Sequence, residues 1–292
     1  MRLLTTLLVM VCALVGAAEQ PRVLILGDSI AYAGGWPTRV ESALRNTPSH
    51  ADAVILNLAL PSETASGLSE PGHAGGTFPR PCVHDRLASV LKQTKPTLVI
   101  ANYGMNDGIY ETLSNANFSA FKQGMEKLVA ACRASGARVI VLTPPLHAAD
   151  KAKTSPADYD NVLEAYAGWL NSKTAMGWEV VDIRPALREA ITDEKSRDPS
   201  FRYASDNVHP GDAGHRMIAD AVLAGIWPLL KLPGKPEVGS PARLKAIGEA
   251  QNALKLAWLT QTGHKRPGLP KGSSVAEAEQ KATTALQKAR SL

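Results

Sequence analysis

Val23-Leu24-Ile25-Leu26-Gly27-Asp28-Ser29-Ile30 decides the fold. Its first four residues form a continuous apolar run, the pattern of a strand covered on both faces. Gly27 and Asp28 are turn residues, and Ser29 follows at a strand-to-helix turn. There a hydroxyl is held at the carboxyl edge of the sheet, and its own N–H has no intrahelical partner. The same alternation recurs along the chain. Further strands are expected at Val54–Asn57, Leu98–Asn102, Val139–Thr143 and Glu179–Asp182. Between them the pattern predicts helices over Thr38–Arg45, His84–Gln93, Phe118–Ala134 and Tyr159–Thr174, and a last one from Asp212 to about Leu230. Gly136 and Gly177 fall where helices end on glycine. Alternating strands and helices specify an α/β fold, a parallel sheet with helices on both faces. Ligand chemistry in such sheets gathers at the carboxyl ends of the strands.

The chain has 292 residues, 45% hydrophobic and 20% charged, enough for one large domain with a real core and an addition to it. Arg2, the apolar run Leu3–Val15 and the small residues Gly16-Ala17-Ala18 read as an export signal over residues 1–18. A membrane anchor is the alternative, but the run is shorter than the roughly 20 residues that span a bilayer. The expected location is secreted or periplasmic. Cys82 and Cys132 remain beyond that segment and are read as two separate thiols, neither in a metal-site spacing. His73, His84, His147, His209 and His215 likewise show no ligand pair such as HExxH, so neither metal nor cofactor is expected.

After a catalytic region over residues 19–232, Pro233, Gly234, Pro236 and Gly239 mark a boundary. Residues 233–292 hold ten Lys/Arg against four Asp/Glu, a net +6, which leaves the rest of the chain at −1. The calculated positive charge thus belongs to this extension. Nucleic acid is a poor partner for an exported protein, so the extension is expected to face an anionic surface or polysaccharide, or to be a solvated helix face with no partner. Leu244, Ile247, Leu254 and Trp258 share one helical face, and the Gly/Pro/Lys-rich link Gly263–Ser274 leads to a second, alanine-rich helix. An isolated helix of this length is marginal in water, so the pair is expected to dock on the main domain or on another subunit.

Four short blocks carry chemistry. Gly27-Asp28-Ser29-Ile30 offers the hydroxyl. Asp206-Asn207-Val208-His209-Pro210, ahead of the last helix, offers an imidazole to take its proton and a carboxylate to fix the ring's tautomer. Tyr103-Gly104-Met105-Asn106-Asp107, after the third strand, offers a side-chain amide to a developing oxyanion, with Gly104 permitting close backbone approach. Asn57-Leu58-Ala59-Leu60-Pro61-Ser62, after the second strand, offers a backbone N–H at a tight turn. Each block alone is an ordinary turn. Together they fall on one edge of one sheet in a workable order.

On these residues the segment from Arg22 to Leu232 resembles the SGNH (GDSL-like) hydrolase superfamily. The resemblance implies a three-layer α/β/α sandwich of flavodoxin-like type with a five-stranded parallel sheet. It also implies a Ser29–His209–Asp206 triad, and an oxyanion hole made by the N–H groups of Ser29 and Ser62 and the Asn106 side chain. Ile30 replaces the usual leucine. Ser62 stands where the family normally has glycine, and serine would be strained there if the turn required positive φ. Asp28, Gly104, Tyr32, Tyr103 and Arg80 are the candidates for substrate contact, Arg80 as a holder of an acidic sugar. Trp36 is expected to pack in the core, Tyr110 to pack there or stack on a sugar, and His215 to pack. The activity implied is hydrolysis of small acyl esters, acetyl foremost, on a carbohydrate. Lipid acylhydrolysis, acyl transfer to a cell-wall sugar and a non-catalytic glycan-binding module are the alternatives.

Overall fold

The computed structural model describes residues 20–148 and 158–292; the expected export signal lies outside the described residues. Five parallel strands form one sheet in the order β2-β1-β3-β4-β5: β1 Arg22–Gly27, β2 Val54–Asn57, β3 Leu98–Asn102, β4 Arg138–Leu142 and β5 Glu179–Val181. Every residue of β3 is buried, as expected for a central strand with both faces covered. Gly27, at the end of β1, is required by the packing: a Cβ there would lie 2.8 Å from the Asn102 carbonyl of β3.

The helices are α1 Ser29–Tyr32, α2 Gly35–Arg45, α3 Leu87–Thr94, α4 Asn115–Ala134, α5 Tyr159–Ser172, α6 Arg184–Arg197, α7 Asp212–Leu229, α8 Pro241–Thr262 and α9 Val275–Arg290. Parallel strands require crossovers, and these put helices on both sides of the sheet. Helix α2 packs on α7, and α3 on α4. The sheet order reverses direction after β2, so the carboxyl ends of β1 and its neighbours open a crevice.

Helix α6 is not foreseen from sequence. Its run Arg184-Pro-Ala-Leu-Arg-Glu-Ala-Ile-Thr-Asp-Glu-Lys-Ser-Arg197 carries charge throughout, and of its aliphatic residues only Leu187 is fully buried. What fixes it is polar. The buried Arg184 guanidinium donates to the Pro145 carbonyl at 3.0 Å and to Asp160 at 2.8 Å, contacts no periodicity rule detects.

The basic extension is the α8–α9 hairpin, and it packs on the sheet domain. Helix α8 lies against α2, α3 and the edge strand β2, covering an edge that would otherwise expose unpaired backbone groups. Ile247 and Leu254 are buried as the shared face implies, together with Ala250 and Ala257, whereas Leu244 and Trp258 are only partly covered. Gln251 of α8 reaches inward, donating to Glu41 at 2.8 Å and accepting from Asn57 at 3.3 Å. Asn57 also donates to the Ala31 carbonyl at 2.8 Å, so α8 braces the short helix that begins at Ser29. Among the described residues no helix is long and apolar enough to cross a membrane.

Candidate active site

Asp28 is the N-cap of α1, its Oδ1 accepting the Ile30 N–H at 2.9 Å. That bond sets the strand-to-helix turn and leaves Ser29 at the first helical position, half-buried, its N–H donating to no group among the described residues. Across the crevice, the segment 204–210 closes on itself through the Ala204–Pro210 bridge, and Asn207 takes a left-handed φ of 71°, which asparagine tolerates. The turn brings Asp206 and His209 face to face. Asp206 Oδ1 accepts the Val208 and His209 N–H groups at 3.0 and 2.7 Å, and its Oδ2 lies 2.7 Å from His209 Nδ1. His209 Nε2 lies 2.8 Å from the Ser29 hydroxyl.

A hydroxyl, an imidazole and a carboxylate therefore stand in series. Burial works to raise the Asp206 carboxyl, but the ring and backbone donors outweigh it and hold the group below the usual carboxylate range. An ionised Asp206 requires the proton of the neutral ring to sit on Nδ1, which leaves Nε2 free to accept from Ser29. The side chains of Asp206 and His209 are 54% and 52% exposed, so this row opens directly to solvent.

Beside it lies a buried cradle. Asn106 is held at both ends: its Oδ1 accepts from Arg80 at 3.0 Å and from the Tyr110 hydroxyl at 3.2 Å, and its Nδ2 donates to the Glu63 carbonyl at 3.2 Å. One amide N–H remains for a ligand. Asp107 holds the same turn from the next position, its Oδ1 accepting the N–H groups of Ala65 and Ser66 at 2.8 and 2.7 Å; burial pushes its carboxyl up to about 6. Ser62 has φ 66°, so serine occupies the left-handed conformation that favours glycine. Such a residue costs about 1–3 kcal/mol and persists only where its surroundings over-determine it. Glu63 supplies that support. Fully buried, it accepts from Arg86 at 2.6 and 2.7 Å and from the Tyr103 hydroxyl at 2.7 Å. Burial drives its carboxyl upward against these donors.

Several expected substrate contacts are corrected by these positions. Tyr103 is 1% exposed and spends its hydroxyl on Glu63, so it is a buried support. Asp28 is equally buried as a helix cap; burial raises its carboxyl to about 7. Arg80 forms an ion pair with Glu70 at 2.6 Å and bonds Asn106, so its guanidinium is committed inside the protein. Gly104 is buried with φ 132°, and a Cβ there would lie 2.8 Å from Pro144; it serves packing. Tyr32 stays half-exposed beside Ser29. Trp36 is wholly buried and His215 nearly so. Cys82 and Cys132 are free thiols. Nothing in the sequence singles out Arg86 or Gln251, and the one signal for Glu63 is its position beside Ser62. Among the described residues no group of three or more His, Cys, Asp or Glu is placed to hold a metal ion.

A family model described as the GDSL-like lipase/acylhydrolase family matches residues 25–217. No curated protein matches the chain. Among solved structures the fold is similar to BT4096, a gut microbial diltiazem-metabolizing enzyme, at 17% identity and a TM-score of 0.54, over 71% of this chain and 47% of that one. It is also similar to a catalytic mutant of Axe2, an acetylxylan esterase from Geobacillus stearothermophilus, with 17% identity, a TM-score of 0.54, and coverage of 70% of this chain and 94% of that one. The acetyl xylan esterase AlAXEase matches at 16% identity and a TM-score of 0.50, over 70% and 99% of the two chains.

Proposed function

Because this chain belongs to the GDSL-like lipase/acylhydrolase family and is thereby a carboxylic ester hydrolase, we propose that it is an exported serine esterase removing small acyl groups, acetyl foremost, from a carbohydrate. Ser29 is the nucleophile, His209 its base and Asp206 the carboxylate that orients the ring. The observation that carries this reading is the unbroken row from the Ser29 hydroxyl through both ring nitrogens to Asp206, at 2.8 and 2.7 Å.

The steps balance as follows. Ser29 Oγ attacks the ester carbonyl carbon while its proton passes to His209 Nε2. The negative charge on the former carbonyl oxygen is met by the Ser29 and Ser62 N–H groups and the remaining Asn106 amide N–H. Collapse of the tetrahedral species breaks the bond to the alcohol oxygen, which takes the proton from His209 and leaves the acyl group on Ser29. Water then attacks, gives its proton to His209, and the second collapse returns that proton to Ser29 and releases the acid.

The carbohydrate part of the reading is supported by the openness of the row, since an alcohol attached to a long chain has free exit beside the half-exposed His209 ring. Two of the fold's relatives carry acetyl xylan esterase activity by name. The test is turnover of p-nitrophenyl esters from acetyl to dodecanoyl, together with acetate release from acetylated oligosaccharides. A maximum at acetyl with acetate release is expected. A maximum at eight carbons or more would replace the substrate by a lipid ester, and binding of glycan without any turnover would replace the enzyme by a module.

A further inference from the structure

Helix α8 lies beyond residues 25–217 of the family match, yet it reaches the turn that carries the nucleophile. Helix α1 is a single turn, Ser29–Tyr32, too short to hold its shape unaided. Asp28 fixes its first end: the side chain accepts the Ile30 N–H and the carbonyl accepts the Tyr32 N–H, both at 2.9 Å. At the other end the Ser29 and Ala31 carbonyls accept from the Ala33 and Gly34 N–H groups at 2.9 and 3.1 Å. The Tyr32 carbonyl accepts no backbone N–H among the described residues. Its partner is the Lys255 ammonium of α8, 2.6 Å away. The same ammonium stands 4.1 Å from the centroid of the Tyr32 ring, so one cation holds the residue by its carbonyl and by its π face.

Lys255 is 5% exposed. Among the described residues no carboxylate lies within ion-pair distance of it, and burial lowers its ammonium to about 8. Its neighbours along this face of α8, Ile247, Ala250, Gln251 and Leu254, are buried and uncharged. A buried cation without a counter-ion is a poor device for stability, since an apolar side chain of the same length fills the space with no desolvation cost. What the charge adds is at its tip. A cation is favourable at the carbonyl end of a helical turn, and this turn begins at Ser29.

We propose that Lys255 is a positioning residue for the reaction: by holding Tyr32 it keeps the turn of α1 in place, and with it the Ser29 hydroxyl on the His209 ring. The assignment rests on the esterase reading for what Ser29 does. It gives the basic extension a part in the site itself, delivered through Tyr32 and not by contact with substrate. Asp28 pins the turn from the strand side and Lys255 pins it from α8.

The test compares the full chain with three variants. Lys255→Met keeps the length and removes the charge, and Lys255→Arg keeps the charge. Lys245→Met alters an exposed lysine of the same helix that makes no bond to α1 among the described residues. The open cavity of about 380 Å³ that Lys255 lines leaves room for the larger guanidinium. Lys255→Met is expected to lower kcat for p-nitrophenyl acetate about tenfold with KM within about twofold, and to melt no more than about 3 °C below the parent. Lys255→Arg should recover most of kcat, and Lys245→Met should match the parent. Hydrogen exchange reads the turn without a substrate: amides of residues 29–34 should exchange at least about tenfold faster in Lys255→Met, with those of β1 and β3 unchanged. A Lys255→Met kcat within about twofold of the parent overturns the assignment. So does a loss of kcat that comes with a larger fall in melting temperature, or a well-folded Lys255→Arg no better than Lys255→Met. Faster exchange of the turn in Lys255→Met, where the parent turns over no ester, leaves the pin standing and removes the esterase reading. Turnover by the parent, with neither kcat nor exchange altered in Lys255→Met, removes the pin and keeps the esterase.

Discussion

Two polar constellations sit side by side at the carboxyl edge of this sheet, and they are built in opposite ways. The row Ser29–His209–Asp206 is open to solvent, with His209 and Asp206 side chains about half exposed and drawn from one turn of four residues. The cradle around Asn106 is sealed, with Glu63 0% and Arg86 4% exposed, and it gathers residues from the segments after β2, before α3 and after β3. The difference matches the roles proposed for them. Groups that pass a proton make and break bonds at every step and need access to water. Donors that meet a developing charge work best when their orientation is fixed in advance, and a buried network of hydrogen bonds fixes it.

Breaking the cradle at its deepest point should have the largest effect on stability. Glu63→Ala strands the Arg86 guanidinium in the interior and releases the Ser62 turn, and a loss of about 3–5 kcal/mol is expected, measured by denaturant unfolding. Loss of less than about 1 kcal/mol would mean that the pair is not what holds the turn. Next comes the donor itself. Asn106→Ala should lower kcat about 10²–10³-fold with little change in KM, whereas Arg80→Ala should cost less, since Tyr110 and the Glu63 carbonyl still hold the amide. An equal loss from both would make Arg80 a participant and not a support.

An effect of pH sharpens the boundary between the two regions. Asp28 caps the helix that begins at Ser29, and its folded carboxyl stands near 7 against an ordinary value of 3.8. Between those values the folded state holds more protons at this group than the unfolded state, so its contribution to stability falls as pH rises from about 4 to 7. Asn caps a helix as well as Asp does. Asp28→Asn should therefore fold and should lose less stability than the parent over that range, the difference being on the order of a few kcal/mol at pH 7. Parallel unfolding curves at pH 4 and pH 7 for both proteins would contradict the assignment.

The contrast also explains which residues were legible in the sequence. The row is written locally: Ser29 follows an apolar strand, and Asp206 precedes His209 by three residues in a turn, so residue type and spacing suffice. The five strands were equally plain, because buried parallel strands are unbroken apolar runs. The cradle is written in tertiary contacts. Tyr103 and Arg80 look like substrate contacts in the sequence because they neighbour the right motifs, and only the fold shows that Glu63 and Asn106 use their polar groups. Helix α6 escaped for the same reason, being fixed by Arg184 bonds to distant carbonyls. The strain foreseen for Ser62 depended on the sign of φ, which the sequence does not carry; its value of 66° places it in the left-handed region.

The central claim is that Ser29 is made nucleophilic by His209, and covalent labelling tests it most directly. Incubating the purified full chain with a fluorophosphonate probe and mapping the adduct by mass spectrometry is expected to place one label on Ser29, lost in Ser29→Ala and slowed by about 10⁴-fold or more in His209→Ala. A folded protein that takes no label, or takes it on another serine, would contradict the claim.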